Sequence, residues 1–231
     1  MKTIGLIGGM SWESTQSYYQ VINQSIKQRL GGLHSAKVIL FSVDFAEIAA
    51  LQAHGDWQSA GEILADAAHK LSLIGADAIV VCTNTMHKVA PQIEASINIP
   101  LLHISDATGQ KLVNDKITKV GLLGTQFTME QTFYKTRLSQ NFPIEIITPD
   151  QQDRETIHRI IYQELCLGKV LPSSRKEYLD IIDKLAQQGA QAIILGCTEI
   201  GLLVKQTDTS IPLYDTALIH AEAAVEFMLN K

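Results

Sequence analysis

Two short segments of the chain end an apolar run in a side chain that can move a proton. Ala78–Val81 is followed by Cys82 and Thr83, and Cys197 lies just beyond Ala192–Leu195. A thiol becomes a competent base when its pKa is lowered, whereas a threonine hydroxyl can only donate a proton or relay one from water. Inverting a stereocentre beside a carboxylate needs a base on one face and a donor on the other. These residue types therefore predict proton transfer with Cys197 as the base.

An internal repeat makes Thr83 and Cys197 equivalent positions. Three pairs of segments match in the same order: Lys2–Gly9 with Thr118–Thr125, Gly75–Val81 with Gly189–Leu195, and Asn98–Leu101 with Ser210–Leu213. Neighbouring residues on a strand point to opposite faces, so if Cys197 and Thr83 face a substrate, Cys82 is expected to point away. The alternative is that Cys82 and Cys166 are packing residues and that Thr83 caps the next helix.

Short apolar runs alternate with amphipathic segments along the chain. The predicted strands are Ile4–Ile7, Val38–Val43, Ala78–Cys82, Leu101–Ile104, Val120–Leu123, Ile144–Thr148, Ala192–Gly196 and Ile211–Tyr214. Their nearly continuous apolar character is typical of parallel strands that are covered on both faces. Among the helices, we expect one to end at Gly31, one to occupy Thr216–Leu229, and two to open with capping boxes at Thr128–Gln131 and Ser174–Glu177.

This pattern predicts an α/β fold of two pseudo-symmetric lobes, each a doubly wound parallel sheet. Residues 1–103 and 214–231 are assigned to the first lobe, and residues 104–213 to the second. Ligands in such sheets bind beyond the carboxyl ends of the strands, so we expect the active site in a cleft between the lobes.

Composition excludes several classes of partner. The 231 residues carry a net charge of -5 and no run of Lys and Arg, which disfavours nucleic acid and anionic membranes. No apolar run approaches the roughly 20 residues of a membrane helix, and MKTIGLIGGMSWE is read as a first strand rather than a signal peptide. The three cysteines match no metal or disulfide pattern. We expect a cytoplasmic protein with reduced thiols and no metal.

Three motifs resemble those of the aspartate/glutamate racemase family: GLIGGMSWEST, VCTNTMHK and IILGCTEIGLL. The resemblance covers the whole chain. The chain is most similar to a bacterial branch of the family that includes broad-specificity amino-acid racemases. It implies two pseudo-symmetric α/β lobes, racemisation without pyridoxal phosphate or another cofactor, and a homodimer.

The first motif departs from the family pattern at one position. Family members usually carry a cysteine directly before the Asn, where this chain has Thr83 before Asn84. The resemblance implies that Cys197 takes the proton from an L-amino acid and that Thr83 supplies one to the other face.

The substrate-binding candidates follow the strands that carry these motifs. They are Met10, Gln52, Asn84, Thr85, Thr125, Thr128, Thr198 and Glu199. Turns that open helices offer backbone N–H groups to a carboxylate, and Glu199 is a candidate partner for the substrate ammonium or a group that perturbs Cys197. Alternatively, Thr128 is a helix cap and Glu199 a solvated helix start.

Aspartate-selective relatives use cations for the distal carboxylate, and this chain lacks them at the matching positions. Residues 44–69 contain no Lys or Arg, Gln52 and His54 are the polar candidates there, and Cys166 stands about where the second cation would fall. This favours a neutral side chain or loose specificity.

Two other classes of function remain open from the sequence. The same superfold includes decarboxylases, hydantoin-type racemases and cis-trans isomerases, which need no ammonium partner such as Glu199. The other class is a non-catalytic binder of amino acids or nucleotides, although GLIGGMS lacks the GxGxxG spacing.

Overall fold

The computed structural model describes residues 1–230, which contain two four-stranded parallel sheets. The strands are β1 (Ile4–Gly8), β2 (Val38–Ser42), β3 (Ala78–Val81), β4 (Leu101–Leu102), β5 (Lys119–Gly124), β6 (Glu145–Ile147), β7 (Ala192–Gly196) and β8 (Leu213–Asp215). Their orders are β2-β1-β3-β4 and β6-β5-β7-β8. Each predicted strand is present, and the same doubly wound order occurs in both sheets.

Helices separate the strands. They are α1 (Trp12–Leu30), α2 (Phe45–His54), α3 (Trp57–Leu73), α4 (Ala90–Ala95), α5 (Ile104–Asn114), α6 (Gln126–Glu130), α7 (Thr132–Asn141), α8 (Gln151–Gln163), α9 (Pro172–Gln187), α10 (Ile200–Leu203) and α11 (Thr216–Leu229). Short 3₁₀ helices occupy Thr85–Val89, Leu165–Leu167 and Gln206–Asp208. α1 ends before Gly31 and α11 has the predicted bounds. None of the helices in residues 1–230 has the length and apolar character needed to cross a bilayer.

Both predicted capping boxes are wrong. Thr128 lies inside α6, whose N-cap is Thr125, and Thr125 Oγ1 accepts a hydrogen bond from the Thr128 N–H over 3.3 Å. Ser174 lies inside α9, which begins earlier at Pro172, because proline suits the first helical turn where its missing N–H costs nothing. The Ser174 hydroxyl donates instead to the Glu164 carboxylate.

The chain forms two compact units, each with its own core. The first contains Met1–Ile104 and the segment from His220 onward, and the second contains Ser105–Ile219. In each unit the two interior strands are almost fully buried, as expected for strands covered on both faces. β8 belongs to the second sheet, and the chain returns to the first unit within α11.

The two sheets share their register as well as their order. Ile7 pairs with Val81 in the first sheet, and Leu123 pairs with Leu195 in the second. These are the residues that the internal repeat aligns. Thr83 and Cys197 therefore lie at the same distance beyond equivalent paired positions.

Candidate active site

The turn after β3 separates a fully buried thiol from a less buried hydroxyl. The Cys82 N–H donates to Ile7 O over 2.9 Å, and the Cys82 carbonyl accepts from Ser14 Oγ over 3.3 Å. Cys82 is 0% exposed, and burial strongly raises the pKa of its thiol. Thr83 keeps 9% of its surface exposed. In the first unit, the hydroxyl of Thr83 is therefore better placed than the thiol of Cys82 to meet a ligand.

The residues after Thr83 continue into the 3₁₀ helix that begins at Thr85. Asn84 holds its N-cap position, without a side-chain capping hydrogen bond. Thr83 is therefore not the cap of this helix. Asn84 and Thr85 are both buried, and the Thr83 carbonyl is held by His87 Nδ1 at 2.8 Å.

Met10 and Gln52 lie in the same unit and are both buried. Gly9 precedes Met10 with a φ of 92°, and a Cβ there would overlap the carbonyl oxygen of Val43. Gln52 Nε2 donates to Met86 Sδ over 3.1 Å, and Met10 belongs to the same core as Met86. Gln52 is thus anchored close to the VCTNTMHK motif.

His54 does not join this group of residues. Its Nδ1 lies 2.7 Å from Ala50 O, and its side chain is exposed. It lines a cavity of about 640 Å³ with side chains of α2, α3 and the turn between them, among them Glu47, Asp56 and Glu62. Gln52 is buried away from this acidic groove.

In the second unit, Cys197 and Thr198 converge on one carboxylate oxygen. The Cys197 thiol donates to Glu199 Oε2 over 3.0 Å, and Thr198 Oγ1 donates to the same atom over 2.8 Å. Cys197 is 7% exposed. Burial, and then the charge of Glu199, raise the pKa of Cys197 well above its usual value. The resting side chain is accordingly a thiol with an acceptor for its proton already in contact.

Thr125 and Thr128 come together at the end of β5. Their hydroxyl oxygens lie 3.2 Å apart, and both residues are buried. Gly124 pairs with Gly196, and a Cβ on Gly124 would lie 2.8 Å from Gly196 O. This close approach of β5 and β7 places the Thr125 turn beside the Cys197 turn.

His87 is not among the site residues predicted from the sequence, yet it contacts the backbone of Thr83. The sequence signal for this contact is the spacing, because a side chain four residues after Thr83 can reach the preceding turn of a helix.

Within residues 1–230, no cluster of three His, Cys, Asp or Glu side chains is arranged to hold a metal ion.

Comparison with known proteins matches most of the chain to one family. The family profile described as Asp/Glu/Hydantoin racemase matches residues 7–224. The broad specificity amino-acid racemase RacX of Bacillus subtilis is 25% identical over 171 residues, which are 71% of this chain and 70% of that protein.

Two solved structures cover the whole chain. A putative Asp/Glu racemase from Yersinia pestis is 59% identical, with a TM-score of 0.92 and 100% coverage of both chains. An aspartate racemase homologue from Pyrococcus horikoshii is 33% identical, with a TM-score of 0.84 and 100% coverage of both chains.

Proposed function

The chain belongs to the Asp/Glu/Hydantoin racemase family, and from this premise we propose that it interconverts L- and D-amino acids by proton transfer at two faces of Cα. Membership makes it an isomerase of the racemase type. The observation that carries the proposed mechanism is the equivalence of Thr83 and Cys197 beyond matching strand registers.

Cys197 removes the proton from the L-face. Its thiol proton passes to Glu199 Oε2, the acceptor 3.0 Å away, and the resulting thiolate takes the Cα proton. Cys197 ends the step as a thiol, Glu199 ends it protonated, and the Cα electron pair is delocalised into the substrate carboxylate. Solvent then removes the extra proton from Glu199.

Thr83 protonates the opposite face of the same carbon. The hydroxyl gives its proton to Cα and regains one from water, since a threonine alkoxide cannot persist near neutral pH. The burial of Cys82 and its raised pKa support Thr83 over Cys82 in this role. The two directions then use unlike groups, a thiol for L and a hydroxyl for D.

The other candidates bind the substrate, or support a residue that does, in this proposal. Asn84, Thr85 and Thr198 supply polar contacts to the α-carboxylate, and Met10 and Gln52 shape the side-chain pocket. Thr125 adds a hydroxyl from the turn beside Cys197. Thr128 is fully buried and bonded to Thr125, so its contribution is to hold that hydroxyl in place.

We assign aspartate and glutamate, or a broader set of amino acids, as the substrate class. The names of the similar proteins support this range, since they include an aspartate racemase homologue and a broad-specificity enzyme. The lack of Lys and Arg in residues 44–69 favours the broader set.

The proposal also covers the setting of the reaction. The enzyme works without pyridoxal phosphate, since Cys197 and Thr83 perform both proton transfers, and it acts in the cytoplasm as a homodimer. Its lobes correspond to the two compact units, Met1–Ile104 with the segment from His220 onward, and Ser105–Ile219, so that the return to the first lobe lies at His220 and not at the predicted residue 214. Treatment with a carbonyl reagent such as hydroxylamine tests the first point, and sedimentation equilibrium tests the dimer.

Proton NMR in D₂O tests the function directly. The Cα–H signals of L-aspartate, L-glutamate and L-homoserine are followed with wild type, Cys197→Ala, Thr83→Ala and Cys82→Ala, and products are resolved by chiral chromatography. We expect exchange with inversion in wild type, loss of both in Cys197→Ala, and exchange without inversion in Thr83→Ala.

The same experiment separates the alternatives. No exchange on any amino acid, together with exchange on a hydantoin, would replace the proposed substrate class by a hydantoin. Release of CO₂ would indicate a decarboxylase. Loss of inversion in Cys82→Ala but not in Thr83→Ala would assign the second face to Cys82.

A further inference from the structure

His87 connects the backbone of Thr83 to another part of the first unit. Its Nδ1 lies 2.8 Å from Thr83 O, and its Nε2 accepts a hydrogen bond from the Ile104 N–H over 3.3 Å. His87 is 2% exposed. A single buried imidazole therefore bridges the turn that carries Thr83 and the segment that follows β4.

These two contacts define the tautomer of the ring. A backbone N–H can only donate, so Nε2 carries no proton, and a carbonyl can only accept, so Nδ1 carries the proton. His87 is thus a neutral imidazole that donates to Thr83 O. The ring thus donates at one end and accepts at the other.

The second unit has no imidazole at the equivalent position. In the internal repeat His87 corresponds to Gly201, and His103 corresponds to Asp215. The rings of His87 and His103 are in contact, with centroids 4.4 Å apart. A Cβ on Gly201 would overlap Asp215 Oδ2, so the carboxylate occupies the space that a side chain at position 201 would need.

The bridge formed by the His87 imidazole therefore occurs in the first unit, which contains the proposed hydroxyl donor Thr83, and not at the equivalent position of the second unit. Cys197 has a charged acceptor in contact with its own side chain, namely Glu199. Thr83 must instead donate from a hydroxyl that is a weak acid, and small errors in its placement reduce the rate steeply. Holding its carbonyl fixes the backbone from which the hydroxyl projects.

We infer that His87 is a positioning residue for the second-face proton transfer, acting through its Nδ1–H bond to the Thr83 carbonyl. The inference rests on the proposed role of Thr83 as donor. It adds a requirement that the family assignment does not contain: the donor turn needs a neutral hydrogen-bond donor at position 87.

Two substitutions separate the two contacts of the ring. In His87→Asn the amide N–H₂ takes the place of Nδ1–H and keeps the bond to Thr83 O. In His87→Gln the side-chain carbonyl takes the place of Nε2 and keeps the bond from Ile104 N–H, while the donor to Thr83 is lost. His220→Gln is the matched control. His220 is buried, its ring centroid lies 5.7 Å from that of His87, and its Nε2 bonds Leu102 O rather than Thr83 O.

The measurement is the ratio of inversion to Cα–H exchange for the L-substrate in D₂O, with melting temperatures recorded for each variant. We expect His87→Gln to lose inversion by about 10- to 100-fold while exchange through Cys197 stays near wild type. His87→Asn and His220→Gln keep the wild-type ratio. A purely structural role would lower both rates together.

Each other outcome overturns the inference. The role of His87 would be wrong, and the proposed racemase function unaffected, under any of three results. These are wild-type inversion in His87→Gln, equal losses of inversion in His87→Asn and His87→Gln, and a proportional fall of inversion and exchange. Inversion retained by Thr83→Ala would remove the donor assignment as well, and absence of exchange in wild type would remove the proposed function itself.

Discussion

The Cys197 thiol donates to Glu199 Oε2 over 3.0 Å, so the residue proposed as the base rests against a group that raises its pKa. The same carboxylate accepts the hydrogen bond of the thiol. Glu199 thus has two opposite effects: its charge disfavours a free thiolate, and its oxygen allows the proton to leave.

Replacing Glu199 by Gln separates these effects. Removing the charge lowers the pKa of Cys197, so the thiol should react faster with iodoacetamide near pH 8. Removing the acceptor should slow racemisation by about 10²- to 10⁴-fold, the usual contribution of a general base. Alkylation kinetics and chiral chromatography measure the two quantities on one sample.

Glu177→Gln is the matched control, since Glu177 is a partly exposed glutamate of the same unit that pairs with Arg159. It should change neither rate. A Glu199→Gln enzyme that racemises at the wild-type rate would show that the thiol proton leaves by another route.

The pH dependence of alkylation follows from the raised thiol pKa values. Only the thiolate reacts, so a pKa above the ordinary value moves the rise of the rate to higher pH. We expect Cys197 to react slowly at neutral pH, with a rate that rises through the alkaline range. Cys82 should stay unmodified in the folded protein, because it is 0% exposed.

Peptide mapping after alkylation at a series of pH values measures both sites. Alkylation in urea provides the control, since both thiols then become accessible. Rapid modification of Cys197 at pH 7 would show that its pKa is lowered rather than raised.

Thr83→Cys tests the asymmetry between the two faces. A thiol is a far better base than a hydroxyl, so removal of the Cα proton from the D-enantiomer should become faster. We expect kcat for D to L conversion to rise. Because the enantiomers have equal free energies, kcat/KM must remain equal in the two directions for wild type and variant alike.

Thr83→Ser is the control, because it keeps the hydroxyl and should keep the wild-type balance of kcat values. A Thr83→Cys enzyme with unchanged kcat from the D-enantiomer would indicate that position 83 does not contact the reacting carbon.

The strand pattern was predictable because buried parallel strands are apolar along their whole length, and the repeat also predicted which residues are equivalent. The helix starts were less predictable: Thr125 and Thr128 are both threonines near a helix, and only the backbone decides which one caps it. His87 shows the same limit at the site. Its four-residue spacing from Thr83 allows the local bond to Thr83 O, but its bond from the Ile104 N–H depends on tertiary placement, which no periodicity in the sequence encodes.

Gly201 provides a prediction on stability. A Cβ at this position would overlap Asp215 Oδ2, and Asp215 accepts from the N–H groups of Ala217 and Leu218 at the start of α11. Gly201→Ala must displace that carboxylate, so it should lower the free energy of unfolding by about 1–3 kcal/mol. Urea unfolding measures the change.

A double-mutant cycle identifies the cause. Asp215→Ala alone should cost about 1 kcal/mol, because it removes the hydrogen bonds at the helix start. If the overlap is the reason, Gly201→Ala should lower the free energy of unfolding much less in the Asp215→Ala background. Residues in contact usually show coupling energies of roughly 0.5–3 kcal/mol, so we expect a coupling energy of at least about 0.5 kcal/mol. Additive effects would show that Ala at position 201 destabilises the protein without contacting Asp215. The overlap with Asp215 would then not explain why the turn after β7 has Gly201 where the turn after β3 has His87.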